Sequence, residues 1–376
     1  MPLRWPTRSD RRPVPDVYVK LRGLTPTGIG RLRWWSRLGR EVKANMSGSG
    51  AHTAGMRTGV QLARRGFYPS APALFKLDEH PITDYVSDWQ RAMTWKVNWP
   101  AAGLLDDKLA FYFMCSRLGV PTPEVSGVVT AGRTSQLGAS RSGSDTDWLR
   151  DRLSDAGAIV LRPTRGGGGR GLYIVERRDD GYVINGELGT WSDVTAVLGE
   201  LEDHIVSDFV RQAAYARTIF PGTTNTLRVV TMNPTDGPAF IAAAAHRFGT
   251  DKSAPGDNWS QGGISVSIDL ETGRLGRGTA RPTPTVPVQW VARHPTTDVP
   301  IEGTVIPNWT RIREGLVEAA SKMPFLPYVG WDVIITDEGF LLAEGNKFPE
   351  LGVVQVHQPL MRQARVRDFY REHGLA

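Results

Sequence analysis

Between positions 158 and 346 short apolar runs alternate with breaks rich in glycine, aspartate and proline, the pattern of strands joined by turns. Strands are expected at 158–162, 172–176, 182–184, 204–210, 226–232, 239–246 and 264–268, and a closing hairpin at 328–336 and 340–344. Helical spacing marks 192–201 and 311–323. A further helix is expected to open with Asp106 as N-cap, to carry Leu109, Phe113 and Leu118 as its apolar stripe, and to stop at Gly119 and Pro121. Shorter helical patterns fall at 59–66 and 83–95, a Gly/Ser loop at 47–50, and 130–147 reads as a small, polar surface insertion. No internal repeat is visible, and helices and strands mix without a regular βαβ order, so the class expected is α+β.

With 376 residues, 40% of them hydrophobic and 22% charged, the chain is long enough for a sizeable core divided among two or three units. Residues 1–103 read as a mixed leading region. Cys115 is the single cysteine, which excludes an internal disulfide and a cysteine zinc site; its apolar helical setting suits a buried thiol. A basic start (Arg4, Arg8, Arg11, Arg12) has no apolar segment behind it, and no run approaches the roughly 20 apolar residues of a membrane span. A cytoplasmic protein is expected.

The net charge of +6 permits contact with nucleic acid or an anionic membrane and equally suits an enzyme that binds a polyanionic nucleotide; a nucleic-acid partner is not expected. Basic residues are densest at Arg31, Arg33, Arg37, Arg40 and Lys43. A packed helix with a solvated charged face is expected there, a peripheral membrane or partner role being the alternative.

Two segments carry chemistry. In IVLRPTRGGGGRGLYIVE, Gly166, Gly167, Gly168, Gly169 and Gly171 lie between two apolar strands, with Arg162, Arg165 and Arg170 beside them. Glycine lets backbone N–H groups crowd round phosphate oxygens. The loop joins strand to strand, which excludes a P-loop and a Rossmann turn, both of which lead into a helix. It suits a flap over a triphosphate, or a plain hairpin tip.

In GWDVIITDEGFLLAEGN, a three-residue loop of Asp337, Glu338 and Gly339 would set Thr336 opposite Phe340 and Asp332 opposite Glu344, with Asn346 on the same face. Opposed carboxylates repel, and a divalent cation removes the conflict; these hard oxygen donors suit Mg²⁺. A two-residue loop would instead leave ordinary solvated charges.

In order along the chain, DDKLAFYFMCSRLGVPTPE, IVLRPTRGGGGRG, IVSDFV, NTLRVVT, DNWSQGG and GWDVIITDEGFLLAEGNKFPE resemble the sugar-transfer-associated branch of the ATP-grasp superfamily. The resemblance implies two α+β subdomains clasping ATP, at 104–210 with the glycine loop and 211–376 with the metal-binding hairpin, and ATP and Mg²⁺ as cofactors. Lys108, Arg162 and the glycine loop would hold the phosphates, with Arg162 standing where most relatives have lysine. Asp208 stands where glutamate is common, and the backbone of Phe209 and Val210 would meet adenine. Asp332, Glu344 and Asn346 would hold the metal. Asn225, Arg228 and Arg247 resemble the polar residues around the γ-phosphate and acceptor, and Asp257, Asn258, Gly262 and Gly263 resemble a substrate-side loop. Alternation turns His246 to the other face.

The activity implied joins a small-molecule carboxylate to an amine through an acyl phosphate, with phosphotransfer to a hydroxyl as the alternative. Clustered carboxylates argue against a non-catalytic polyanion binder. Neither nucleic acid nor a membrane span is implied, and the oligomeric state is not legible.

Overall fold

The computed structural model describes residues 26–46, 56–138, 146–167, 171–283, 286 and 288–375. The expected loop at 47–50 and the glycines Gly168 and Gly169 lie outside the described residues. Among the described residues fourteen strands form two seven-stranded sheets in which every neighbouring pair is antiparallel. The first contains β1 (Val125–Thr130), β2 (Arg133–Gln136), β3 (Ala158–Pro163), β4 (Tyr173–Arg178), β5 (Gly181–Ile184), β6 (Glu187–Gly189) and β7 (Asp203–Asp208), in the order β2-β1-β7-β3-β4-β5-β6. The second contains β8 (Thr226–Met232), β9 (Phe240–Phe248), β10 (Ile264–Ile268), β11 (Leu275–Ala280), β12 (Trp290–Val291), β13 (Tyr328–Ile335) and β14 (Phe340–Asn346), in the order β12-β11-β10-β9-β8-β13-β14. The class is α+β, as the mixed pattern predicts.

The helices that matter below are α1 (Pro26–Met46), α2 (Met56–Arg64), α3 (Asp88–Met93), α4 (Lys108–Arg117), α5 (Asp147–Ala156), α6 (Trp191–Glu200), α7 (Trp309–Ser321) and α8 (Ala364–Glu372). One face of the first sheet (Val129, Ile159, Leu161, Val175) packs on α5 and α6 through Leu149, Leu153, Val194 and Leu198.

The second sheet is used on both faces. Leu227, Val229, Trp331 and Val333 pack on Phe111 and Cys115 of α4 and on Ile312 and Leu316 of α7. Val230, Met232 and Tyr328 point the other way, under Trp34 and Leu38 of α1, Met93 of α3 and Phe369 and Tyr370 of α8. Further along that second face the cover ends, and Thr226, Arg228, Asp332 and Ile334 line an open cleft. A strand buried on both faces reads as a continuous apolar run. Arg228 breaks that run at the point where the covering layer stops.

Three expectations need correction. Asp107, not Asp106, caps α4: its extended backbone lets Oδ1 accept from the N–H groups of Leu109 and Ala110, both at 3.1 Å. Asp106 ends the preceding 3₁₀ turn and pairs with Lys347. The buried stripe of α4 is Phe111 and Cys115, while Phe113 is exposed; apolar residues ring this helix, so spacing alone does not set its phase. The polar insertion at 130–147 contains β2, which pairs with β1 across Ala131 and Gly132, both at positive φ. Its Arg-Thr-Ser-Gln sequence is that of a polar edge strand, which apolar periodicity cannot reveal.

The closing hairpin reaches the expected pairing by a different path. Ile335, not Thr336, pairs with Phe340, and a bulge at Ala343 then restores Asp332 opposite Glu344 and Gly330 opposite Asn346. Between the two polar residues of β14, Gly345 has its hydrogen where a Cβ would meet Leu105 Cδ2 at 2.7 Å, Trp331 Cζ3 at 3.0 Å and Phe111 Cε2 at 3.3 Å. Close packing of α4 on the sheet depends on that missing carbon. Gly345→Ala is expected to cost about 1–3 kcal/mol by overpacking, read as a lower urea midpoint with unchanged slope.

Candidate functional site

The open faces of the two sheets enclose a cleft of about 320 Å³. One wall begins at the start of α4. The Lys108 N–H donates to Thr164 O at 2.9 Å, and Arg165 pairs with Asp107 at 3.1 Å, so the helix start is clipped to the base of the glycine loop. The far end of the loop is tied by His204, whose Nε2 lies 3.1 Å from Gly171 O. Gly166 has φ +101°, a conformation that excludes most other residues.

Lys108 spans the cleft. Its Nζ donates to Gly166 O at 2.7 Å and lies 3.7 Å from Glu344 Oε2 on the second sheet. Burial holds its pKa below the ordinary lysine value, with Glu344 acting in the opposite direction. Arg162 projects from β3 beside it. Its guanidinium has one long bond, Nη1 to Ala343 O at 3.4 Å, and its Nε is sealed from solvent without a hydrogen-bond partner. Among the described residues no carboxylate forms an ion pair with it, and burial lowers its pKa despite the charge of Glu344.

The opposite wall is a charge network on β8, β9 and β13. Asp332 Oδ1 lies 2.8 Å from Arg228 Nε, and Oδ2 lies 3.0 Å from Arg247 Nη2. The first contact is close but out of line, leaving both atoms without a completed hydrogen bond. Arg247 also reaches Asp257 at 3.4 Å and donates through Nε to Thr226 Oγ1 at 3.2 Å. Thr226 in turn donates to Asp257 Oδ2 through its N–H (2.8 Å) and its hydroxyl (2.6 Å). Burial alone would raise the pKa of Asp332, but Arg228 and Arg247 outweigh it and hold the carboxyl below its usual range. Asp257, with fewer cations near it, is raised by burial. Arg247 is raised because Asp257 and Asp332 together outweigh its own desolvation.

Glu344 and Asn346 complete this wall on β14. Asn346 Nδ2 is buried without a partner. Amide nitrogen and oxygen have the same shape, so the carbonyl can face the cleft instead. Among the described residues no three His, Cys, Asp or Glu side chains converge as a metal cage. Two carboxylates and an amide on one face still fit Mg²⁺, which takes one or two protein carboxylates and completes its shell with phosphate and water.

At the end of β7, Asp208, Phe209 and Val210 also line the cleft. Asp208 is held by both arms of Arg152 from α5, one of them at 3.0 Å. Arg152 had no motif to mark it. The Phe209 N–H bonds Ala158 O at 3.3 Å.

Two neighbours of the motifs are structural. Asn225 spends its whole amide inside the fold: Nδ2 donates to Gln212 Oε1, Ala216 O and Phe220 O, and Oδ1 accepts from Thr223 Oγ1 and Gly249 N–H. It shapes the loop before β8 and does not face the cleft, contrary to expectation. His246 is fully buried on the reverse face, stacked on Phe248 at 4.0 Å, and burial pushes its pKa down to about 3.

A profile of the family described as sugar-transfer associated ATP-grasp matches residues 92–367. No curated protein matches the chain. Similar solved structures include D-alanyl-alanine synthetase A from Vibrio cholerae (14% identity, 73% of this chain and 66% of that one, TM-score 0.42). They also include an N5-carboxyaminoimidazole ribonucleotide synthetase in its ADP complex (10%, 72% and 56%, 0.40). A third is a biotin carboxylase complex from Campylobacter jejuni (13%, 80% and 50%, 0.40). The chain spans less than two thirds of the length of each of these proteins.

The two opposed carboxylates are expected to respond differently to neutralisation. Asp332→Asn leaves Arg228 and Arg247 buried with Asp257 alone and should destabilise the protein by about 3 kcal/mol. Glu344→Gln loses a long, half-buried contact at 3.7 Å with Lys108, which keeps its bond to Gly166 O, and should change stability by less than about 1 kcal/mol. Urea unfolding of both variants in EDTA checks the contrast; equal losses would mean that the network is not what holds this wall.

Proposed function

The chain belongs to the sugar-transfer-associated ATP-grasp family, and from that premise we propose that it is an ATP- and Mg²⁺-dependent ligase joining a carboxylate to an amine. The observation that carries this reading is Arg162, a guanidinium held in the cleft with no counter-ion among the described residues. Among the described residues four cations line the cleft (Lys108, Arg162, Arg228, Arg247) against three carboxylates that no outside cation neutralises (Asp257, Asp332, Glu344). A polyanion satisfies the excess, and a triphosphate is the polyanion the family uses.

In this reading Lys108, Arg162 and the N–H groups of Gly166 and Gly167 hold the phosphates, with Gly168 and Gly169 continuing the loop. Phe209 and Val210 meet the adenine edge by their backbone. Asp208, already paired with Arg152, fixes the strand end beneath the nucleoside. Asp332, Glu344 and Asn346 would hold the metal, which supplies charge neutralisation on the phosphate oxygens when bound. Arg228 and Arg247 steady the transferring group, and their carboxylate partners keep both guanidiniums in place before substrate arrives.

A substrate carboxylate oxygen attacks the γ-phosphorus, and the bond from that phosphorus to the bridging oxygen breaks as ADP leaves. The amine nitrogen then attacks the acyl carbon, inorganic phosphate departs with its oxygen, and the amine gives up a proton. No protein nucleophile is required; position and charge do the work. The family's tie to sugar transfer favours one rival, a phosphotransferase whose acceptor is a hydroxyl.

Mg-ATP should raise the thermal midpoint, by an amount equivalent to about 2.7 kcal/mol at a hundredfold excess over the dissociation constant. Arg162→Met should weaken that shift while leaving the midpoint without nucleotide level or higher. No shift of the wild-type protein against an EDTA control would count against ATP binding itself.

Hydroxylamine separates ligase from phosphotransferase, because it captures an acyl phosphate as a hydroxamate and spares a phosphate ester. Supplied in place of the amine with a turnover-supporting carboxylate, it should yield hydroxamate, ADP and phosphate. A stable phosphorylated acceptor without free phosphate would establish the phosphotransferase instead.

A further inference from the structure

Charge is distributed unevenly along this chain. Residues 1–65 hold 14 Lys and Arg against 3 Asp and Glu, a net +11, whereas residues 66–376 hold 31 against 36, a net −5. All of the first group lies ahead of residues 92–367, the part matched by the family.

Helix α1 shows what this charge surrounds. Its inner face buries Trp34 and Leu38, with Trp34 edge-on to Trp89 at 5.1 Å, so the helix is docked and not a free tail. At 100° per residue, Leu32 falls near the centre of the opposite face and Trp35 at its edge, one residue step from Trp34 and edge-on to that ring at 4.7 Å; the two are 52% and 61% exposed, with exposed Arg31 and Arg40 on the flanks. Helix α2 packs on α1 and exposes Val60 between Arg57 and Arg64. Glu41 is the one acidic residue in either helix, and it is engaged by Arg37 and Ser70.

We propose that the outer face of α1 binds the surface of an anionic lipid bilayer. An exposed indole and leucine flanked by arginines is the arrangement that lies in a membrane interface, with apolar groups entering the headgroup boundary and guanidiniums meeting lipid phosphates. Duplex nucleic acid would satisfy the arginines and leave Leu32 without an apolar partner. The attachment is peripheral: no described helix is long and apolar enough to cross a membrane. The docked helix also adjoins the cleft. Arg33 of α1 and Lys347 each lie 4.6 Å from the centre of the Trp95 ring, and Lys347 directly follows Asn346.

Sedimentation of the full chain with phosphatidylcholine vesicles, with and without phosphatidylglycerol, tests this. Binding is expected only to the anionic vesicles and should weaken as salt rises. The double variant Leu32→Ala with Trp35→Ala should bind about tenfold more weakly, and Arg31→Gln with Arg40→Gln about fivefold more weakly per arginine. All four positions are exposed, so both variants should stay folded and keep the Mg-ATP shift, the apolar pair losing only the edge contact of Trp35 with Trp34. Failure to sediment with anionic vesicles overturns the proposal, as does binding that the apolar pair does not weaken. Displacement of the vesicles by duplex DNA with equal loss in both variants would assign the face to nucleic acid instead. Because Mg-ATP binding is read separately, loss of lipid binding and failure of the ligase reading are distinguishable.

Discussion

Asp332 sits between two guanidiniums that the fold has taken out of water, and the geometry of the cleft follows from that arrangement. Removing a charge from solvent is costly unless a partner and good contacts replace the water. Arg228 comes from the strand on one side of Asp332 and Arg247 from the strand beyond it, so three adjacent strands must share one register for the charges to meet. The apolar positions enforce that register. A slip of one residue would exchange the cleft set for the core set of Leu227, Val229, Trp331 and Val333, burying arginine among Trp309, Ile312 and Leu316.

The same network explains why so much of the cleft is arranged without a ligand. Asp257 from the loop after β9 and Thr226 at the start of β8 brace Arg247, and Lys108 reaches from the start of α4 toward Glu344. Contacts of this kind let charged groups meet a substrate with little reorganisation, which is where electrostatic stabilisation of a transferring group gains its strength. Arg162 is the exception. It carries desolvation without a matching anion, and so marks the place in the wall where a negatively charged group is accommodated at least cost.

Polar residues close to a motif need not share its role. Asn225 lies three positions before Arg228, yet every donor and acceptor of its amide is consumed by the turn it holds together. His246 adjoins Arg247 but faces the core, where Tyr215 and a backbone carbonyl occupy its ring nitrogens. In each case the competing requirement was satisfaction of buried polar atoms, a demand that spacing along the chain does not display.

The sequence alone determined the α+β class, most of the strands, the glycine loop and the family, because these rest on local periodicity, on glycine's backbone freedom and on ordered motifs. It also marked Asp332, Glu344 and Asn346 for one face of one hairpin, though by counting from Thr336 opposite Phe340. Only the folded chain decided the actual route, with Ile335 opposite Phe340 and a bulge at Ala343 making up the difference. It likewise decided that Asp107 rather than Asp106 caps α4, that Phe111 rather than Phe113 enters the core, and that Arg152 holds Asp208. Each of these depends on which surface an element is pressed against. A bulge, a helix phase and a long-range ion pair are chosen by packing between segments far apart in sequence, and local pattern is silent about neighbours that only the tertiary structure supplies.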